Sequence, residues 1–338
     1  MRTVAIISLL IVFNYTDAQI PVNSNSTQET RELLSLIYSL SGQKTLTGQH
    51  GYPLYSDIMN ERVHNFTGEY PALFGQDFGF SEANSLDGIN FRQRVVDNAI
   101  KWNNKGMIIS LMWHAVPPTM DEPVTFKEGI QSKLTDEEWK QLITDGSELN
   151  QRWKSQVDVI AFYLKQLQDA GVPVIWRPYH EMNGKWFWWG GREGKDGYQA
   201  LYKMLYNRLV NFHKINNLLW VFNGNEINPP NVETYNRFFP GLEYVDILAT
   251  DVYHNNFQLK DYESLLKLAN GKPIALGEVG HMPTADQLEK QPNWAWFMTW
   301  SEFLETANTY EEKKAIYSSD RTITLKELNS LNKSGSNQ

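Results

Sequence analysis

The chain has 338 residues, 41% of them hydrophobic and 13% aromatic, with 12 Trp, no Cys and a formal net charge of −8. That is apolar material for a full core, as one large α/β domain or two smaller ones. The acidic balance without a basic block argues against a nucleic-acid partner, and the lack of cysteine excludes disulfides.

The first elements are read from the N-terminus. Arg2, the apolar run 4–13 and the small residues Thr16 and Ala18 form the pattern of a signal peptide cleaved after Ala18. The apolar run is too short to span a bilayer, so a secreted, extracellular protein is expected, with no membrane association after removal of residues 1–18. Residues 19–29 and 330–338 are expected to be disordered edges, because both carry Ser/Asn-rich stretches, and 30–329 reads as one domain with no linker inside it. Asn25, Asn65 and Asn332 begin glycosylation triplets.

Along the domain, short apolar runs alternate with amphipathic stretches. The runs predict strands over 44–47, 72–74, 107–112, 174–177, 218–222, 245–250, 273–276 and 294–298. Helical spacing of apolar residues predicts helices over 30–40, 88–103, 149–170, 198–212 and 261–269. Thr135 and Glu138, and again Thr324 and Glu327, have capping-box spacing. Alternation of this kind argues for a parallel sheet, and eight units fit a (β/α)8 TIM barrel with a single catalytic domain. An open doubly wound sheet is the rival; the nearest candidate for its phosphate turn, Gly48-Gln-His-Gly51, lacks the required glycine pattern. The third connection, 114–171, is the longest and is expected to carry an extra helix.

A barrel places its active site at the C-terminal ends of the strands. There the chain offers Gln49 and His50, Gln76 and Asp77, Trp113 and His114, His180 and Glu181, Asn223, Asn225 and Glu226, Asp251, Tyr253 and His254, Glu278 and His281, and Trp300. The densest stretch is Val174-Ile-Trp-Arg-Pro-Tyr-His-Glu-Met-Asn-Gly-Lys-Trp-Phe-Trp-Trp-Gly190, in which a buried strand ends in a carboxyl group among tryptophans. Apolar surroundings favour the neutral form of a carboxyl group, as a proton donor requires. Glycoside cleavage needs two such groups. Glu181 and Glu278 would top the fourth and seventh strands, across the barrel mouth from each other. Glu226 is the rival second carboxylate.

The Arg177–Gly190 stretch resembles the acid/base signature of glycoside hydrolase family 26, best known as β-mannanases, and Gly277-Glu-Val-Gly280 resembles its nucleophile segment. His180 stands where the wider clan of such barrels has Asn. The resemblance implies a retaining mechanism without organic cofactor or metal, with Glu181 as acid/base and Glu278 as nucleophile. It further implies that His114, His180, Trp186, Asp251, Tyr253 and Trp300 bind or support the substrate. Arg177 would lie beneath Glu278, and Trp188 and Trp189 would pack or bind. The expected substrate is a β-mannan-type polysaccharide cut internally by a monomeric enzyme. Mixed-linkage β-glucan, β-1,3-xylan, and mannobiose release from chain ends remain open on the same scaffold. A metal-dependent barrel hydrolase using His114, His180, His254 and His281 is the reading from another class; no tight metal-ligand spacing supports it.

Overall fold

The computed structural model describes residues 19–227, 232–253 and 257–335. The signal-peptide segment and His254 lie outside the described residues.

In chain order the elements are α1 (Gln28–Leu40), β1 (Thr45–His50), α2 (Ile58–Thr67), β2 (Leu73–Asp77), α3 (Arg92–Asn103), β3 (Ile108–Trp113), α4 (Asp136–Ile143), α5 (Glu148–Asp169), β4 (Val174–Pro178), α6 (Tyr198–Tyr206) and β5 (Leu218–Asn225). There follow β6 (Ile247–Val252), α7 (Leu259–Ala269), β7 (Ile274–Val279), α8 (Ala285–Lys290), β8 (Trp294–Thr299), α9 (Phe303–Thr306), α10 (Tyr310–Tyr317), β9 (Thr322–Ile323) and α11 (Leu325–Gly335). Strands β1 to β8 pair in sequence, all parallel, and β8 returns to β1. The expected (β/α)8 barrel is therefore closed, with β9 as a short parallel addition beside β1.

All eight predicted strands form, and most run further than their apolar stretches. Polar residues continue the ladder past the point where hydrophobicity stops, so His50, Asp77, Asn223, Asp251 and Glu278 are strand residues rather than loop residues. Rigid strands hold these groups more tightly than loops would. Residues from every barrel strand, including Leu46, Leu73, Ile108, Ile175, Val221, Ala249, Ala275 and Met298, join Leu33, Leu34 and Ile37 of α1 in one buried cluster. That cluster fills the barrel and seals its lower end. In the long third connection, α4 is the expected extra helix, opened by the Thr135–Glu138 capping box.

Two edges differ from expectation. Residues 22–27 are fastened rather than frayed. Val22 N–H donates to Asp246 Oδ1 at 2.7 Å, Asn23 Nδ2 donates to Asn216 Oδ1 at 2.9 Å, and Thr27 N–H donates to the Asn216 carbonyl at 2.9 Å. Their Ser/Asn composition serves hydrogen bonds to the barrel floor. At the other end, α11 runs past residue 329, with the Thr324 N–H donating to Glu327 Oε2 at 2.8 Å as half of the expected capping box.

Candidate active site

Arg177 leaves β4 beneath the barrel mouth, almost fully buried. Its Nε donates to Asn223 Oδ1 at 2.8 Å, and its Nη2 donates to Glu278 Oε1 at 3.0 Å and Asp251 Oδ1 at 3.2 Å. From the other side the Tyr253 hydroxyl donates to Glu278 Oε2 at 2.5 Å. Both oxygens of Glu278 are thus engaged as acceptors. Gly277 makes this crowding possible, because a Cβ there would stand 1.9 Å from Asn223 Oδ1 and 2.7 Å from Asp251 Oδ1.

Past β4 the chain turns sharply. Tyr179 and Glu181 both take positive φ, 48° and 55°, a conformation costly for residues with side chains and most often kept at functional positions. The turn is held by Glu181 N–H donating to the Asn223 carbonyl at 2.8 Å. Trp186 Nε1 donates to Glu181 Oε2 at 2.6 Å. The indole lies over Gly184, where a Cβ would come within 2.2 Å of its ring. Burial, then the charge of Glu278, raises the Glu181 carboxyl to about 8; the Trp186 hydrogen bond and the charges of His114 and Arg177 act the other way. A carboxyl group so placed keeps its proton near neutral pH.

His180 sits with Nε2 3.9 Å from Glu278 Oε1. Burial first, then His114 and Arg177, push it well below the ordinary histidine range, so it is neutral. Its ring meets that of His114 edge-on at 4.7 Å between centroids. The half-buried Trp300 stacks on His50 at 4.2 Å and 15°, and lies 6.3 Å from the His114 ring.

Six of the eight expected site residues therefore converge at the barrel mouth: Glu181, Glu278, His114, His180, Trp186 and Trp300. Tyr253 joins them through Glu278. Asp251 differs in kind: it is fully buried behind Arg177, which makes it a support for the site rather than a surface for a sugar. Trp188 and Trp189 are buried, donating to the carbonyls of Ala115 and His180 at 2.6 and 2.7 Å, so they pack. Glu226, the rival carboxylate, is buried and accepts the Tyr253 N–H at 3.1 Å; it braces the backbone. Asp77 and Asn223 were visible as strand-end polar residues, but only the structure reveals their partners.

His180, Asp251 and Glu278 place possible ligand atoms within 4.8 Å of one another. The Arg177 guanidinium already bridges the two carboxylates, and its fixed positive charge opposes a metal cation there. Of the histidines in the metal reading, His281 lies apart in a groove with Met282, Thr284 and Glu312.

A parallel barrel whose strand ends pair a proton-holding carboxyl group with a second, fully engaged one is the frame of a glycoside hydrolase. The chain belongs to glycosyl hydrolase family 26, whose model matches residues 22–327. It is 35% identical over 90% of its length to a mannan endo-1,4-beta-mannosidase of Thermothelomyces thermophilus, and 29% identical over 91% to one of Bacillus subtilis. It spans 62% of the first of these and 89% of the second; of a Piromyces mannan endo-1,4-beta-mannosidase A it spans 51%. Among solved structures, the GH26A protein of Muricauda sp. MAR_2010_75 is 47% identical with a TM-score of 0.87, over 90% of this chain and 99% of that one. A Podospora anserina GH26-CBM35 beta-(1,4)-mannanase is 32% identical with a TM-score of 0.77, over 92% and 69%.

Proposed function

We propose that the protein is a secreted, monomeric endo-β-1,4-mannanase acting by retaining double displacement. The observation that carries the mechanism is the contrast between two neighbouring buried carboxyl groups. Glu181 is raised to about 8 by burial and by Glu278, whereas Glu278 is clasped on both oxygens by Arg177 and Tyr253. Divergent environments of this kind support the reading of Glu181 as acid and Glu278 as nucleophile.

In the first step a Glu278 oxygen attacks the anomeric carbon while the Glu181 proton passes to the glycosidic oxygen. The C–O bond to the leaving sugar breaks and a glycosyl ester forms. In the second, Glu181, now a carboxylate, takes a proton from water; the hydroxyl attacks the same carbon and Glu278 is released. Trp186 and Trp300 offer ring faces for sugar C–H surfaces, and His114 and His180 offer polar contacts beside them. Among the described residues no helix is long and apolar enough to cross a membrane.

The substrate reading rests on the relatives named above. Product profiling on linear mannan, galactomannan and lichenan tests it: oligosaccharides of graded length are expected from the mannans. Release from lichenan with none from mannan would overturn the substrate, and mannobiose as the sole early product would overturn the endo mode.

A further inference from the structure

Asp77 ends β2 with its carboxylate turned to β3. Oδ2 accepts the His114 backbone N–H at 3.0 Å and lies 2.7 Å from His114 Nδ1; Oδ1 accepts the Gly79 N–H at 2.5 Å. Both side chains are nearly inaccessible, at 2% and 6%. A fork that holds backbone and ring of one histidine leaves that ring one orientation. Nδ1 faces the carboxylate, and Nε2 is the nitrogen left to act on a ligand.

We infer that Asp77 is a positioning residue of the reaction, holding the His114 ring in one orientation beside the paired carboxyl groups Glu181 and Glu278, with Nε2 the nitrogen left for a ligand. This rests on the reading of Glu181 as the acid.

The surroundings of His114 are mixed in charge. Asp77 and Asp87 face it from β2 and the following loop, Glu278 from β7, Glu181 and His180 from the turn after β4, and His50 from β1. The remaining walls are the rings of Phe80, Phe126, Phe187, Trp189 and Trp300. Burial opposes a charge on His114. The charge and hydrogen bond of Asp77, then Glu278 and Asp87, outweigh it and raise His114 above the ordinary value. Asp77 is lowered in return: burial opposes this, but the charge and hydrogen bond of His114 prevail. His50, pushed down to about 3 chiefly by burial, and His180 stay neutral. Among His50, His114 and His180, His114 alone has its protonated form favoured, and Asp77 is the first group to favour it. Positive charge on His114 lowers how tightly Glu181 holds its proton, so Asp77 acts on the acid through the histidine it holds.

The test is the pH profile of kcat/KM on mannan. Its basic limb follows loss of the Glu181 proton. D77N is nearly isosteric and removes the charge that sustains His114. With His114 less readily protonated, Glu181 holds its proton to higher pH. The basic limb should move upward by roughly half a unit or more, with kcat/KM on polymer reduced roughly 10- to 100-fold by loss of alignment. H114Q should move the limb the same way, and D77N/H114Q should add no further movement. An unmoved limb in D77N, or additive movements, overturns the inference. Should D77N fail to fold, H114Q decides alone, because an unmoved limb there removes the tuning charge from the argument. E181A separates this from the underlying reading: a basic limb that persists in E181A refutes Glu181 as the acid. A limb lost in E181A but unmoved in D77N refutes only the role of Asp77.

Discussion

The barrel buries carboxyl groups at both ends, and the one at the floor is satisfied differently from the pair Glu181 and Glu278 at the mouth. At the floor, Asp246 accepts the backbone N–H of Val22 at 2.7 Å and of Trp220 at 2.8 Å. At the mouth, Glu181 and Glu278 are held by side chains: an indole, a guanidinium and a phenol. Backbone donors are part of the fold and cannot be traded. Side-chain donors can shift with the charge of the group they hold, as the proposed proton and glycosyl transfer would demand. The mouth also keeps polar capacity in reserve. Among the described residues, Asp251 Oδ2, His180 Nδ1 and both ring nitrogens of His50 have no hydrogen-bond partner. Buried polar groups left so are costly and concentrate where function needs them.

The sharpest way to break this comparison is to remove the groups said to do chemistry. Glu278→Ala should lower turnover on the order of 10⁴-fold or more, on mannan and on activated aryl β-mannosides alike, because no other group forms the glycosyl ester. Substantial turnover of aryl substrate by the variant would return Glu226 or Asp251 to contention. Glu181→Ala should cost roughly 10²- to 10⁴-fold on polymer, yet spare the bond-breaking step of aryl substrates whose leaving groups need no proton. Equal losses on both would mean the roles are misassigned. In the unaltered enzyme, kcat/KM should decline as pH rises through about 8, where Glu181 loses its proton; a profile flat to pH 9 would contradict the assignment.

Arg177→Met probes the side-chain donors. It leaves Glu278 buried without its cation, a change that costs about 3–5 kcal/mol. A buried carboxyl group deprived of its cation binds a proton more tightly folded than unfolded, so the penalty is full above its folded pKa, shrinks as pH falls from there to the unfolded value, and is gone below it. Denaturant unfolding of variant and parent at pH 7 and pH 4 should show a large gap that narrows in acid. A gap independent of pH would point to lost packing instead.

These contrasts bear on what could be read from residue order alone. The eight strands were legible because buried parallel strands are near-continuous apolar runs; their true ends were not, since His50, Asp77 and Glu278 are polar residues carried on the ladder. Glu181 and Glu278 were legible from strand-end position and motif. The Trp186 hydrogen bond was not, because it needs the positive-φ turn at Glu181 and the space above Gly184. Asp77 was visible only as a strand-end residue, because its partner lies 37 residues away on the neighbouring strand. The stretch 22–27 misled for the opposite reason. Its composition is that of a free end, and its hydrogen bonds are to residues 216 and 246, which local pattern cannot anticipate.

The smallest effect expected is at the floor. Asp246 is raised to about 6 because burial outweighs its two backbone donors and the charge of Lys272. A carboxyl group raised from 3.8 when folded stabilises the folded state less as pH climbs from about 4 to about 6, and its contribution is level above that. Asp246→Asn keeps an acceptor for one N–H and leaves the other unsatisfied, a cost of about 1–3 kcal/mol. It also removes the titration. The stability difference between parent and variant should therefore be greatest near pH 4 and shrink toward pH 6, while kcat and KM on mannan at pH 7 stay within about twofold. The kinetic constants are the decisive reading. If an Asn at the floor moved them as much as D77N does at the mouth, the two ends would not be separate systems, and the contrast between the floor carboxylate and the pair at the mouth would lose its meaning for function.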